Sequence, residues 1–376
     1  MASHSGSAPT AEELKRNTVC FPSQFNLYVI SDLHTNVLAN RKWIENLHGN
    51  KAIDKNTSGI IVAGDVSESF EVLRWTLQEL KNVFDEVFYV PGNHCLWLTA
   101  KGHNSREDTK SSISKYKNII EMCDEIGVRT RPTRILRDVN PSEHTTNTPI
   151  WIVPLLSWYH EEFDTEKDIP EEVANIPPAH AMMTDFSMCV WPKNLDPKKD
   201  DVAKYFDELN DSNDRISLEY IKQSKGKIIT YSHFLPRIEL IPEKRFLFFP
   251  NLSKAVGSIY LQQRVKDMKP ILHVFGHTHF GWDTILEDGI RYVQMALANP
   301  RERQQRMKSL YVGTDPSMIE EPSIPLLVLT TYWKEDDEED VLIPQYWASW
   351  SEHYKKEKRS PENTELAPWV KPIWTK

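Results

Sequence analysis

Cysteine is scarce: the 376 residues contain four, Cys20, Cys95, Cys123 and Cys189. They stand far apart and form no CxxC pair, which excludes a zinc knuckle and a thioredoxin-type motif and fits a reducing compartment. No apolar run approaches the span of a bilayer, so no membrane helix is expected. The first twenty residues lack the apolar core of a secretory signal and the arginine enrichment of a transit peptide. Cytoplasm is therefore the expected location, and a sequon such as Asn56-Thr57-Ser58 carries no meaning there. An excess of basic charge is also missing. Lys plus Arg number 45 against 54 Asp plus Glu, a formal charge of -9. A general nucleic-acid binder needs the opposite balance, so no nucleic-acid or membrane partner is expected. No internal repeat is visible.

What is present is an alternation of short apolar runs and amphipathic stretches. Residues 25–31 read as a strand, and Val37, Leu38, Trp43, Ile44 and Leu47 as one face of a helix. Ser58 to Ala63 is a second strand candidate, Phe70 to Val83 a second helix and Glu86 to Val90 a third strand. This β-α-β-α-β rhythm argues for a sheet with helices packed on it, whose ligands gather at the carboxyl ends of the strands. A helix over about 113–126 and strands at Thr133 to Leu136 and Ile150 to Leu156 follow. Residues 157–226 break the rhythm and read as an insertion or cap carrying two short helices. Strands return at Lys227 to Tyr231 and Ile271 to Phe275, with a helix at about 254–267 between them. A hairpin (Thr284 to Leu286, Ile290 to Met295) and two late strands (Leu326 to Tyr332, Leu342 to Trp347) close the pattern. Residues 1–22 read as a flexible tail, 23–350 as one domain, and 351–376 as a C-terminal tail whose tryptophans pack back on the body.

Five of these strands end in polar motifs: Asp32-Leu33-His34, Gly64-Asp65, Gly92-Asn93-His94, His233, and Gly276-His277-Thr278-His279. Each motif alone reads as a turn or a lone histidine. Five in succession, each behind an apolar run, point to a metal site. Imidazole, carboxylate and amide oxygen make a mixed N/O donor set suited to Mn, Fe, Zn, Ni or Co. The set is large enough for two ions, with Asp65 the natural bridging carboxylate. Two metals about 3.5–4 Å apart can clamp a phosphoryl group and stabilise both the attacking and the leaving oxygen.

Together these motifs resemble the calcineurin-like metallophosphoesterase superfamily. The resemblance spans most of residues 27–280. It implies an α/β fold, a four-layer α/β/β/α sandwich, around two divalent or trivalent metal ions. It implies Asp32, His34, Asp65 and His279 as ligands of one ion, and Asp65, Asn93, His233 and His277 as ligands of the other. His94 would bind no metal and would stabilise or protonate the leaving oxygen; His94 and Asp65 are the expected catalytic residues. Many members carry Asp or Glu after the Gly-Asn-His; Cys95 stands here. His94 is then either less basic or served by another partner, such as Asp108, and Cys95→Asp is expected to keep or raise turnover.

The chain lacks the GDxVDRG signature of Ser/Thr protein phosphatases and the tyrosine ligand of purple acid phosphatases. The expected activity is hydrolysis of a phosphate mono- or diester of a small metabolite or nucleotide, by in-line attack of a metal-bridging hydroxide. A nuclease-type phosphodiesterase and a metal-binding scaffold without catalysis are the alternatives. Asn93 and His94 are substrate-contact candidates. Arg301 and Arg303 could clamp a phosphate or simply begin a solvated basic helix in Arg301-Glu302-Arg303-Gln304. Trp158 and Tyr159 could line the cleft rim or pack beneath the insertion.

Overall fold

The computed structural model describes residues 8–98, 109–138, 148–212, 214–303, 324–333, 338–346 and 348–375. In chain order it runs α1 (Ala11–Arg16), β1 (Thr18–Phe21), β2 (Gln24–Ile30), α2 (Leu38–Glu45), β3 (Ser58–Ala63), α3 (Phe70–Val83) and β4 (Glu86–Val90). Next come α4 (Ser112–Ile126), β5 (Thr133–Arg137), β6 (Ile150–Pro154), α5 (Ala179–Met182), α6 (Asp185–Met188), α7 (Asp201–Glu208) and α8 (Leu218–Gln223). The chain then passes through β7 (Lys227–Tyr231), α9 (Ile259–Met268), β8 (Leu272–Val274), β9 (Trp282–Ile285), β10 (Arg291–Gln294), β11 (Leu326–Trp333) and β12 (Glu338–Leu342).

Two sheets result. The seven-stranded sheet has the order β1-β5-β6-β7-β8-β10-β9, and the five-stranded sheet the order β12-β11-β2-β3-β4. Strands β2, β3 and β4 are parallel neighbours, as are β6, β7 and β8. They are buried on both faces, which is why they read as continuous apolar runs without alternation. One apolar core spans both sheets and the helices packed on them, giving the α/β/β/α sandwich. Backbone bonds from Ser31 to Met295 and from Leu297 to Ser31 lace the end of β2 to the segment after β10, joining the sheets where their motif-bearing ends meet.

Local sequence explains most element ends. Ser69 caps α3, accepting from the Val72 N–H, and Leu73, Leu77 and Leu80 turn its apolar face inward. Ser111 and Ser114 form a reciprocal cap at the start of α4, which ends at Gly127 in the left-handed conformation, φ 72°.

Two expectations need correction. The N-terminal stretch read as a flexible tail is ordered over its described part. Thr10 and Glu13 form a capping box on α1, and β1 pairs in parallel with β5 while burying Val19 and Phe21. A four-residue strand is too short for its alternation to stand out in sequence. The last strand lies at Glu338–Leu342, not 342–347, pairing antiparallel with β11 at a sheet edge. Its acidic start hid it, although edges commonly carry charge. Trp347 lies outside the described residues.

After β12, Ser349–Lys356 forms a helix whose Trp350 is buried, and Leu366, Ala367 and Val370 pack with Ile169 and Ala174. Trp369 and Trp374 donate their indole N–H groups to the carbonyls of Phe246 and Phe248. Among the described residues no helix is long and apolar enough to cross a membrane.

Candidate metal centre

All five motifs converge where the carboxyl ends of β2, β3 and β4 face those of β7 and β8. Backbone bonds set the first two loops against each other: Asp32 N–H donates to Gly64 O at 3.1 Å and His34 N–H to Asp65 O at 3.0 Å. Asp32, His34, Asp65, His277 and His279 all have positive φ, between 41° and 75°. Few non-glycine residues adopt that conformation, and each costs about 1–3 kcal/mol. Five such residues in one cluster mark a place where the fold holds side chains against local preference.

Two triads of potential ligand atoms overlap. Asp32, His34 and His279 form one and Asp32, Asp65 and His233 the other, with every ligand atom of a triad within 4.8 Å of its partners. Asp32 is common to both triads, and Asp65 lies in the second beside it. His34 Nε2 is 3.1 Å from His279 Nε2, which lies 3.3 Å from Asp32 Oδ1. His233 Nε2 is 3.4 Å from Asp65 Oδ2. The Asn93 Oδ1 sits between His233 Nε2 at 2.9 Å and His277 Nδ1 at 3.0 Å. The remaining ring nitrogens are held from behind. His233 Nδ1 meets the Ala63 carbonyl at 3.0 Å, His277 Nε2 that of Ala255 at 2.9 Å, and His279 Nδ1 the Glu302 carboxylate at 2.8 Å. Such outer partners fix tautomer and ring orientation in metal sites.

The backbone leaves no room for substitution here. A Cβ on Gly92 would lie 2.1 Å from Asp65 Oδ1, and one on Gly64 would lie 2.2 Å from His233 Nδ1. Both glycines let main chain pass where a side chain would collide with a residue of the site.

Electrostatics fit a cation site. Asp32 and Asp65 are 0% and 1% exposed. Burial alone would raise both carboxyls. His279 and then His233 instead bring Asp32 down to about 2, and His233 and then His94 hold Asp65 well below the usual carboxylate range. Burial works against a charge on His279, but Asp32 and Glu302 raise it to about 10. His233 is raised by Asp65 against the same desolvation. Burial drives His34 to about 4 and His277 to about 3, so these two imidazoles are neutral with lone pairs available. Buried carboxylates need a positive counterpart. Divalent metal ions would supply it, and the N/O donors present here suit such ions.

His94 occupies the rim. Its backbone N–H donates to Asp65 Oδ1 at 3.0 Å, and its Nε2 is 4.0 Å from Asp65 Oδ2. Its ring stacks on Trp97 with centroids 3.7 Å apart and meets His34 edge-on at 4.8 Å. Cys95 is turned away into the core, wholly buried, its Sγ accepting from the Tyr89 hydroxyl at 3.2 Å. Asp108, the suggested alternative partner of His94, lies outside the described residues.

Two residues reach the site that sequence reasoning missed. One is Glu302, between the two arginines singled out as a phosphate clamp. Arg301 is exposed, and Arg303 commits Nη1 to the carbonyls of Leu297 and Ala298 and to Asn40 Oδ1. A signal for Glu302 existed: Asn299 and Glu302 carry the three-residue spacing of a capping box, and each side chain takes the other's backbone N–H. The other is Asp185, at the start of α6 in the insertion, only 2% exposed. It accepts from Asn93 Nδ2 at 2.8 Å, Trp97 Nε1 at 2.6 Å and the Tyr159 hydroxyl at 2.9 Å. No local pattern in Thr184-Asp185-Phe186 announces this. Trp158 and Tyr159 are buried, so neither lies exposed at a rim.

The calcineurin-like phosphoesterase family model matches residues 25–281. The [acyl-carrier-protein] phosphodiesterase PptH of Mycobacterium tuberculosis is 28% identical over 282 residues, 74% of this chain and 80% of that protein. The crystal structure of phosphopantetheinyl hydrolase (PptH) from the same organism superposes with a TM-score of 0.50 at 24% identity, covering 75% of this chain and 93% of that one. The match over residues 25–281 contains all five motifs, and the chain belongs to the calcineurin-like phosphoesterase family as a metal-dependent phosphoester hydrolase.

Proposed function

We propose that the enzyme is a dinuclear phosphodiesterase whose substrate carries a phosphopantetheine-type phosphodiester. The two adjoining triads, which bring Asp32 and Asp65 together with His34, His233 and His279, are the observation that carries the dinuclear part. Asp32, His34, Asp65 and His279 would hold one ion, and Asp65, Asn93, His233 and His277 the other. Two such ions would supply Lewis acidity toward the phosphoryl oxygens and a nucleophile at neutral pH. Manganese, iron, zinc, nickel and cobalt all suit the donor set.

The protein's own groups do the rest. Asp32 and Asp65 stay ionised, and the rear contacts to Ala63, Ala255 and Glu302 keep the imidazoles aimed inward. Hydrolysis breaks one P–O bond in line with the attacking water oxygen, and the departing alkoxide must take a proton. His94, held at the rim by its backbone bond to Asp65 and its stack on Trp97, gives that proton from its imidazolium.

The substrate class follows the relative, whose name places its activity on acyl carrier protein. The test is parallel turnover of p-nitrophenyl phosphate, bis-p-nitrophenyl phosphate and a phosphopantetheinylated carrier protein. Release of phosphopantetheine from the carrier, with the diester preferred over the monoester, supports the assignment. Hydrolysis of the monoester alone would overturn it.

A further inference from the structure

Asp185 belongs to the insertion, yet its carboxylate is buried against the metal centre and three donors converge on it. Oδ1 accepts from both Asn93 Nδ2 and Trp97 Nε1, and Oδ2 from the Tyr159 hydroxyl. The first bond decides which way the Asn93 amide faces. An amide has one donor end and one acceptor end. With the NH2 group given to Asp185, the carbonyl oxygen must point the other way, to the space between His233 and His277. The second bond fixes the indole on which His94 stacks. One carboxylate therefore sets both a ligand oxygen and the platform under the proton donor.

We propose that Asp185 is a positioning residue of the metal centre, acting through Asn93 on metal affinity and through Trp97 on His94, and that the insertion is thereby part of the active site. Without Asp185 the Asn93 amide is free to flip, presenting NH2 to a cation, and the indole loses its anchor. Removing an outer partner of this kind costs about 10–100-fold in metal affinity or activity.

The inference rests on Asn93 being a metal ligand, so three variants are compared: Asp185→Ala, Asp185→Asn and Asn93→Ala. Each is assayed for metal binding by calorimetric titration of the metal-stripped protein with Mn, and for kcat and KM separately on bis-p-nitrophenyl phosphate. Asp185→Ala should bind the weaker-held ion about 10–100-fold less tightly and lose kcat by a similar factor, with KM little changed. Asp185→Asn keeps an oxygen where Oδ1 lies and should recover most of both. A merely structural role would make both Asp185 variants fall together with the thermal midpoint. Wild-type metal affinity in Asp185→Ala, or no recovery in Asp185→Asn, would overturn the proposal. Full two-ion binding by Asn93→Ala would instead overturn the ligand assignment beneath it. Should Asp185→Ala fail to fold, the wild-type Asn93 side-chain amide decides by NMR. Slow hydrogen exchange supports the bond to Asp185, and bulk-like exchange refutes it.

Discussion

The imidazole of His94 lies flat against the indole of Trp97, with ring centroids 3.7 Å apart and planes inclined by 29°. That stack, with the backbone bond from His94 to Asp65, holds the ring at the rim without making it a ligand. Replacing His94 by Ala should lower kcat by about 10²–10⁴, the usual worth of a positioned proton donor, and leave metal content unchanged. Turnover measured beside metal analysis checks this. An unaltered kcat would remove His94 from the reaction.

Glu302 stands behind His279, 2.8 Å from Nδ1, and points the opposite nitrogen toward Asp32 and His34. Glu302→Ala should weaken metal binding by about 10–100-fold, and Glu302→Gln, which keeps an acceptor, by less. Competition with a chelator of known affinity measures both. Equal retention in the two variants would show that His279 needs no orientation from behind.

The buried place of Cys95 reverses the expectation drawn from its motif. Its Sγ faces Tyr89, and burial and then Asp65 push the thiol pKa up. An aspartate there would bury a further carboxylate near Asp65, beside which Asp32 already lies. Cys95→Asp should therefore destabilise the protein by about 1–3 kcal/mol and should not raise turnover. Thermal unfolding tests the first part. A variant as stable as the parent, with faster turnover, would restore the original expectation.

His273, which is not itself a proposed ligand, sets an acid limit on stability. It is fully buried in β8 between Thr230 Oγ1 at 2.7 Å and Ser232 Oγ at 3.1 Å, and burial lowers its pKa from 6.5 to about 3. Below pH 6.5 the unfolded chain takes up a proton that the native protein refuses. Stability is thus lost as pH falls from 6.5 toward 3, by about 2–3 kcal/mol at about pH 4.5. His273→Gln should lose correspondingly less between pH 7 and 4.5 in urea unfolding. Equal losses in both proteins would show that His273 takes no part.

Sequence and structure agree where a strand carries its motif directly. Asp32, Asp65, Asn93, His233 and His277 each follow within a few residues of a parallel, fully buried strand, so an apolar run and a polar end stood side by side in the chain. What sequence could not show was reach across the fold. Asp185 meets Asn93 from 92 positions away, in a segment without periodicity. Glu302 stands between two arginines whose charge suggests phosphate binding, which masks its contact with His279. The order of β1 was hidden because four residues paired with β5, more than a hundred positions on, leave almost no local signature.

Asp32, His34, Asp65, Asn93, His233, His277 and His279 are the proposed ligands of two metal ions. Anomalous diffraction from crystals of Mn-loaded protein, collected at the metal edge, tests this assignment. Two peaks per chain are expected, one among Asp32, His34, Asp65 and His279 and one among Asp65, Asn93, His233 and His277. A single peak, or peaks away from these residues, would contradict it.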